Sequence, residues 1–245
     1  MAGEPEVQTY ATLEALQAAA AERVATLAEA AGRSRGRVLL AVSGGSVTPG
    51  IFARLVAPPL RDRVPWTAVS LIWCDERMVP FNSPESNYRL ARETLIAHVP
   101  IPSLQVYPVA TYFSPERAAA IYHQQVAALL TAHDGQIDIA LLGMGPDGHT
   151  ASLFPGFPQL DAPPDRLALP VEGSPKPPPS RITLSPAALN RAAHAIFVVA
   201  GADKAPRVRD ALRGPHDPHT IPAQIVQPPH GHVLWMLDRA AAGAL

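Results

Sequence analysis

Short apolar runs alternate along the chain with segments whose apolar residues recur every three or four positions. Runs of the first kind predict strands, and segments of the second kind predict amphipathic helices. Strands are predicted at 37–42, 68–73, 137–142, 195–200, 223–226 and 233–237, and helices at 9–31, 49–56, 84–97, 115–133 and 203–212. Alternating strands and helices joined by short loops indicate an α/β fold, a doubly wound and mostly parallel sheet with helices on both faces.

Prolines interrupt this pattern between residues 155 and 186, where 10 of 32 residues are proline. Proline has no amide donor and a fixed φ, so it is excluded from helix interiors and is poorly suited to central strands. We therefore expect an internal surface loop at about 155–180 within one domain that spans residues 1–245. A division into two lobes at this loop is the main alternative.

The composition is that of a globular chain without a strong overall charge. The 245 residues are 47% hydrophobic and 17% charged, and the formal net charge is −1. No global basic field exists to hold nucleic acid or an anionic membrane, so any anionic ligand must be bound locally. We expect a cytoplasmic protein, because the N-terminus has no signal-peptide pattern and no apolar run is long enough to cross a bilayer.

The first candidate site is a glycine loop, Ser43-Gly44-Gly45-Ser46, between a predicted strand and a predicted helix. Glycines let backbone N–H groups point into a concavity, and the N-terminus of the helix adds positive potential. This arrangement suits a phosphate group, although an ordinary glycine turn has the same sequence. No Gly-Lys-Ser/Thr follows, so the loop is not a Walker A motif.

A second loop, residues 143–148, matches the G-x-G-x-x-G dinucleotide pattern after a strand. That pattern needs a helix after its third glycine, and Pro155, Gly156 and Pro158 end any helix here early. The acidic residue expected about 20 positions further on would be Asp165, inside the proline-rich segment. We therefore reject a dinucleotide site.

The same loop carries Asp147 and His149, two residues apart at the end of a predicted buried strand. Histidine is the usual general base near neutral pH, and a neighbouring carboxylate can fix its tautomer. Asp147 either orients His149 or binds substrate hydroxyls, and the spacing does not decide between these roles. The alternative is a structural turn in which neither residue is catalytic.

Several cations and acids follow other predicted strands. Asp75, Glu76 and Arg77 come after the second strand, and Arg181 and Lys204 come later. Arg77 offers a planar donor fork for phosphate or a developing oxyanion, whereas Glu76 is typical of a salt bridge within the loop. Each cation alone is typical of a solvated surface, but together with the glycine loop they would form a phosphate clamp.

Two further groups have reactive side chains but favour structural roles. The one cysteine, Cys74, ends an apolar strand, where a free thiol usually fills the core. It also excludes an intrachain disulfide framework. His216, Asp217, His219, His230 and His232 lie in a proline-rich stretch that is typical of surface turns, and their spacing matches no standard metal site. No metal is expected.

Together the loops resemble those of the glucosamine-6-phosphate isomerase/6-phosphogluconolactonase superfamily, and within it the lactonases. The most specific match is Gly145-Pro-Asp-Gly-His-Thr-Ala-Ser-Leu-Phe-Pro155. Val47 departs from the family pattern, because it stands between the glycine loop and Thr48-Pro49. The resemblance extends over about residues 8–242, and its other matching segments are 43–46, 73–77, 86–87, 179–183 and 201–204.

The resemblance implies hydrolysis of 6-phospho-D-glucono-1,5-lactone in the oxidative pentose phosphate pathway, by a monomer without metal or cofactor. His149 would be the general base, with Asp147 beside it and Arg77 as electrostatic partner. Ser43, Gly44, Gly45, Asp75, Arg181 and Lys204 would bind the substrate and its phosphate. Two alternatives stay open: a glucosamine-6-phosphate deaminase/isomerase with Asp75 as base, and a non-catalytic sugar-phosphate sensor.

Overall fold

Strands and helices alternate along the part of the chain that the structure, a computed structural model, describes, which is residues 5–245. The strands are β1 (Glu6–Tyr10), β2 (Val38–Val42), β3 (Val69–Trp73), β4 (Asp75–Arg77), β5 (Ile137–Leu142), β6 (Ala168–Val171), β7 (Arg181–Leu184), β8 (Ala192–Val199) and β9 (His232–Asp238). The helices are α1 (Leu13–Arg35), α2 (Thr48–Leu55), α3 (Leu60–Arg63), α4 (Asn87–Thr94), α5 (Pro115–Ala132), α6 (Pro186–Leu189) and α7 (Ala205–Arg213).

The larger of two sheets has the strand order β1-β9-β8-β5-β2-β3, and neighbouring strands in it are parallel throughout. Side chains alternate between its faces: Leu40 packs with α1 to α4, and Leu39 packs with α5 to α7. Both faces are therefore covered by helices, as a parallel sheet requires. The predicted α/β fold, doubly wound and with helices on both faces, is confirmed.

The first helix and the strand before it differ from the prediction. Thr9, predicted to begin a helix, lies in β1, which pairs with β9 at the edge of the sheet. Every residue of β1 is exposed or half-buried, so no apolar run marks it. Thr12 caps α1, which continues to Arg35 and ends at Gly36 in the left-handed conformation (φ 67°), a backbone geometry that glycine adopts without strain.

Two other predicted elements also differ. Residues 223–226, predicted as a strand, instead form most of a 3-10 turn over Pro222–Ile225 and its C-cap, Val226. Its residue Ala223 donates its N–H to the carbonyl of Gly148 at 3.0 Å, and Pro222 has no N–H to offer a sheet. The helix predicted from residue 84 begins at Asn87, because the side chain of Ser86 provides the N-cap.

The proline-rich segment contributes two strands to a smaller antiparallel sheet, with the order β4-β7-β6. The surface loop expected at about 155–180 therefore contains a strand, β6, which the sequence did not predict. Pro170 is accommodated because β6 is an edge strand, where a missing N–H leaves no partner unsatisfied. The smaller sheet joins the end of β3 to the proline-rich segment.

Strand β3 lies at the edge of the larger sheet, where its outward backbone groups need partners. The hydroxyl of Tyr122, on α5, donates to the carbonyl of Trp73 at 2.7 Å and accepts its N–H at 2.7 Å. Both residues are buried. A single side chain thus satisfies two backbone groups that would otherwise be buried without partners.

We expect Tyr122→Phe to lower the free energy of unfolding by about 1–3 kcal/mol, because it leaves these two groups unpaired in the core. Urea unfolding followed by circular dichroism measures the change. Tyr112→Phe is the matched control, because Tyr112 is 73% exposed, and its effect should stay within about 0.5 kcal/mol. Equal effects of the two substitutions would contradict this account of the edge.

Candidate active site

The loops that follow β2, β5 and β8 meet at the carboxyl edge of the larger sheet. They surround a cavity of about 110 Å³. Its lining includes Gly44 and Gly45 from the first loop, Met144 from the second and Lys204 from the third. The structure therefore brings the glycine loop and Lys204 together, as expected of a shared crevice at this edge.

The side chains of Thr48 and Asn87 fix the conformation of the glycine loop. Thr48 Oγ1 donates to the carbonyls of Ser43 and Gly44 at 3.1 and 3.0 Å. Helix α2 begins at Thr48, so Val47 does not prevent Thr48 from closing the loop. A Cβ at Gly44 would lie 2.0 Å from Asn87 Oδ1, so only glycine fits against this neighbour.

Glu76 organises the N-terminus of α4, a role that the sequence did not indicate. Its carboxylate is 1% exposed and accepts the backbone N–H groups of Arg77, Asn87 and Tyr88 at 2.7–2.8 Å. The Ser86 hydroxyl donates to it at 3.2 Å. Burial raises the pKa of Glu76 even though the backbone donors act to lower it. Glu76 is therefore a structural carboxylate, and the salt bridge expected for it is wrong, because its partners are backbone N–H groups and a hydroxyl.

Asp75 lies beside Glu76 and is 5% exposed. Ser152 Oγ donates to its Oδ2 at 2.7 Å, and Asn87 Nδ2 donates to its Oδ1 at 3.3 Å. The same Asn87 amide donates to the Asp75 carbonyl at 2.9 Å. Asp75 thus connects α4 to the loop after β5, and both of its carboxylate oxygens have protein partners.

Arg77 and Arg181 are paired across the smaller sheet but differ in their free donors. Arg77 Nη1 donates to Glu85 O at 2.7 Å, its Nε is buried without a hydrogen-bond partner, and its Nη2 makes no hydrogen bond to residues 5–245 and is the nitrogen left for a ligand. The Arg181 side chain is 4% exposed, and its Nε and Nη2 donate to carbonyls of residues 176–178. Arg77 retains donors for a ligand, whereas the contacts of Arg181 anchor the proline-rich loop. Phosphate binding by Arg181 stays a prediction.

Asp147 and His149 form a hydrogen-bonded pair on the loop after β5. His149 Nδ1 lies 2.5 Å from Asp147 Oδ1. A carboxylate only accepts, so Nδ1 carries a proton, and in the neutral ring Nε2 presents its lone pair. Nε2 has no partner among the described residues, and the side chain is 16% exposed. A Cβ at Gly145 would lie 2.1 Å from His149 Cε1, so this glycine makes room for the ring.

The charge on Asp147 is maintained although its carboxyl is half-buried. Burial acts to raise its pKa, but the hydrogen bond and charge of His149 outweigh burial. The ammonium of Lys176, at 3.6 Å from Asp147 Oδ2, acts in the same direction. The pKa of Asp147 is therefore held below its ordinary value. No local sequence pattern marks Lys176 as a site residue within the proline-rich segment.

Lys204 and Cys74 complete the set of sequence candidates. Lys204 Nζ donates to Ala200 O at 3.0 Å and lies 3.6 Å from Asp203 Oδ2, at the mouth of the small cavity. Cys74 is fully buried, and burial raises the pKa of its thiol to about 12. A thiol that stays protonated and out of contact with solvent is not a nucleophile.

A larger cavity, of about 740 Å³, lies at the opposite edge of the sheet. It is lined by the stacked rings of His194 and His232, at the amino ends of β8 and β9. His230 and His232, which the sequence analysis considered as metal ligands, line it, whereas the glycine loop, the Asp147–His149 pair, Asp75, Arg77, Arg181 and Lys204 do not. Among residues 5–245, moreover, no group of three or more His, Cys, Asp and Glu side chains has an arrangement that could hold a metal ion.

The fold and the site define a class: α/β proteins with a His–Asp pair and a glycine loop at the carboxyl edge of a parallel sheet. The family model described as glucosamine-6-phosphate isomerases/6-phosphogluconolactonase matches residues 11–235. The chain belongs to this family, which confirms the resemblance inferred from its motifs.

Known relatives cover nearly the whole chain. The human 6-phosphogluconolactonase is 37% identical over 98% of this chain and 93% of its own length. The solved 6-phosphogluconolactonase of Trypanosoma brucei has a TM-score of 0.86 and is 32% identical, covering 99% of each chain. A solved monomeric glucosamine-6-phosphate deaminase also matches, with a TM-score of 0.82 and 20% identity over 98% of this chain and 100% of its own. At that identity the likeness concerns the fold alone.

We expect Cys74 to be unreactive in the folded protein, because its thiol is buried and protonated. A small aromatic disulfide reagent at pH 8 should release no chromophore from the native protein and about one equivalent after unfolding in urea. Rapid release from the native protein would contradict the burial of the thiol and return Cys74 to the list of nucleophiles.

Proposed function

We propose that this chain hydrolyses 6-phospho-D-glucono-1,5-lactone to 6-phospho-D-gluconate, in the oxidative pentose phosphate pathway. The observation that carries the proposal is the His149–Asp147 pair, which has one solvent-accessible nitrogen and belongs to the same sheet edge as the glycine loop and Lys204. Relatives named for this activity match nearly the full length of the chain and support the same reaction.

In the proposed reaction, His149 Nε2 takes a proton from a water molecule that attacks the lactone carbonyl. Asp147 holds the opposite nitrogen and stabilises the imidazolium that forms. The carbonyl oxygen becomes an oxyanion, for which Arg77 has free donors. When the C1–O5 bond breaks, His149 returns the proton to the ring oxygen, so the step needs no covalent nucleophile and no cofactor.

The phosphate is proposed to bind at the other end of the crevice. Gly44 and Gly45 line the small cavity together with Lys204, and Ser43 precedes them in the loop before α2; the backbone amides of these three residues are the proposed phosphate donors. Binding energy from the phosphate, which does not react, positions the lactone carbonyl at His149. In this scheme Arg181 contributes its positive charge and does not contact the phosphate, because its Nε and Nη2 donate to loop carbonyls.

The deaminase alternative needs a carboxylate base that can reach the sugar. Asp75 was the candidate, but it is 5% exposed and both of its carboxylate oxygens accept hydrogen bonds. The geometry thus favours a structural role for Asp75 and supports the lactonase over the deaminase. The orientation of His149 by Asp147 likewise favours an enzyme over a sensor.

We further propose that the protein acts as a monomer in the cytoplasm. The one cysteine is a free, buried thiol, which fits the reducing compartment that this location implies. No helix within residues 5–245 is long and apolar enough to cross a membrane. Size-exclusion chromatography with light scattering tests the monomer directly.

We expect His149→Ala to lower kcat for freshly prepared 6-phosphogluconolactone by about 10²- to 10⁴-fold, because it removes the general base. The rate is measured above spontaneous hydrolysis, with glucosamine 6-phosphate assayed in parallel for ammonia release. His98→Ala, at an exposed histidine, is the control and should retain full activity. Undiminished lactone hydrolysis by His149→Ala would refute the mechanism, and ammonia release without lactone hydrolysis would refute the proposed function.

We expect Gly44→Ala to raise KM for the phosphorylated lactone by at least about tenfold, because the added methyl group displaces the loop from Asn87. Steady-state kinetics give KM, and thermal unfolding checks that the variant is as stable as the wild type. Gly243→Ala is the control: this glycine is exposed in a C-terminal turn, and its new Cβ would meet two carbonyl oxygens, at 3.2 and 3.8 Å. An unchanged KM in Gly44→Ala would place the phosphate elsewhere.

A further inference from the structure

Lysine occurs at only two positions in this chain, Lys176 and Lys204, and the other cations among its 20 Lys and Arg residues are arginines. Lys204 lines the cavity beside the glycine loop, and Lys176 lies against Asp147. Both lysines are therefore at the candidate active site.

Hydrogen bonds from two side chains fix the backbone at Lys176. Ser174 Oγ donates to the carbonyl of Lys176 at 2.9 Å and accepts its N–H at 3.2 Å. Arg181 Nη2 donates to the same carbonyl at 3.0 Å. Because the flanking prolines, Pro175 and Pro177, also restrict φ, the side chain of Lys176 extends from a fixed point.

The ammonium of Lys176 faces the oxygen of Asp147 that His149 does not use. His149 Nδ1 contacts Oδ1 at 2.5 Å, and Lys176 Nζ lies 3.6 Å from Oδ2. A carboxylate that is held at one oxygen can still rotate about its Cβ–Cγ bond. A second contact at the other oxygen restricts this rotation and so fixes the direction in which the carboxylate accepts from the histidine.

The arginine that anchors the loop also packs behind the proposed base. The guanidinium carbon of Arg181 lies 5.5 Å from the ring centroid of Phe154. The Phe154 ring in turn lies 4.7 Å from that of His149. The proline-rich loop and the His149 ring are thus supported by the same residue, and they form one packed unit.

We propose that Lys176 is a positioning residue for the lactone reaction: the proline-rich loop holds its ammonium against Asp147, and the carboxylate held in this way fixes the orientation of His149. The inference rests on the proposed function. It assigns the proline-rich loop to the active site, with Lys176 acting through Asp147 and not on the substrate itself.

Four variants test the proposal: Lys176→Met, Lys176→Arg, Asp147→Asn and the double variant Asp147→Asn/Lys176→Met. In the wild-type background, Lys176→Met should lower kcat by about 2- to 5-fold, the range for a partly exposed ion pair, with KM for the lactone nearly unchanged. Lys176→Arg should recover most of the loss, because it keeps the charge. In the Asp147→Asn background, Lys176→Met should have no further effect, because its target is already removed.

Three results would overturn the inference. A rise in KM at constant kcat in Lys176→Met would mean that Lys176 contacts the substrate. An equal loss of kcat in the wild-type and Asp147→Asn backgrounds would mean that Lys176 acts independently of Asp147. Wild-type kinetics in Lys176→Met would mean that Lys176 has no role in the reaction. Thermal unfolding of each variant separates loss of stability from loss of kcat. Wild-type hydrolysis and the loss in His149→Ala are measured first, so that failure of the proposed function is recognised separately.

Discussion

The parallel pairing of every strand in the larger sheet is the constraint on which the candidate site depends. Parallel strands all end at one edge, so the loops after β2, β5 and β8 meet there without being near one another in the sequence. Each loop begins at a buried strand that cannot shift without exposing core residues. The glycine loop and the loop of His149 therefore have rigid starting points, and short loops are enough to aim their polar groups.

Buried charges give the loops their second support. The Glu76 carboxylate accepts four hydrogen bonds, and Asp75 has a hydrogen-bond donor at each carboxylate oxygen. Arg181 donates to carbonyls of the proline-rich loop. A buried charge is expensive unless it is fully paired, and removing one partner costs more than the pair contributes. These groups therefore resist local rearrangement. Through these groups the smaller sheet is connected rigidly to α4, to the loop after β5 and to the proline-rich loop.

The sequence predicted the elements whose signals are local. Strand β5 and the loop with Asp147 and His149 follow from an apolar run that ends in glycines, and both lie where they were expected. Strand β1 was missed because it is a half-exposed edge strand whose pairing with β9 supplies what its composition lacks. Strands β6 and β7 were missed for a related reason, since β7 lies between β6 and β4, and β4 is far away in the sequence. The same long-range pairing hid the roles of Glu76, Arg181 and Lys176, which depend on neighbours that no local pattern reveals.

The chemistry available at this edge depends on which side chains have a polar atom without a protein partner. Cys74 and Asp75 lie at the end of β3, but the thiol is buried with its pKa raised to about 12, and the carboxylate has protein partners at both oxygens. His149 has a fixed tautomer and one nitrogen open to solvent. A deaminase with the same fold is 20% identical to this chain, so the fold alone does not select a reaction. A δ-lactone already reacts with water, so a general base with a fixed orientation is sufficient. The hydrogen bonds that occupy both carboxylate oxygens of Asp75 therefore bear on the proposed choice of reaction as much as the one that orients His149.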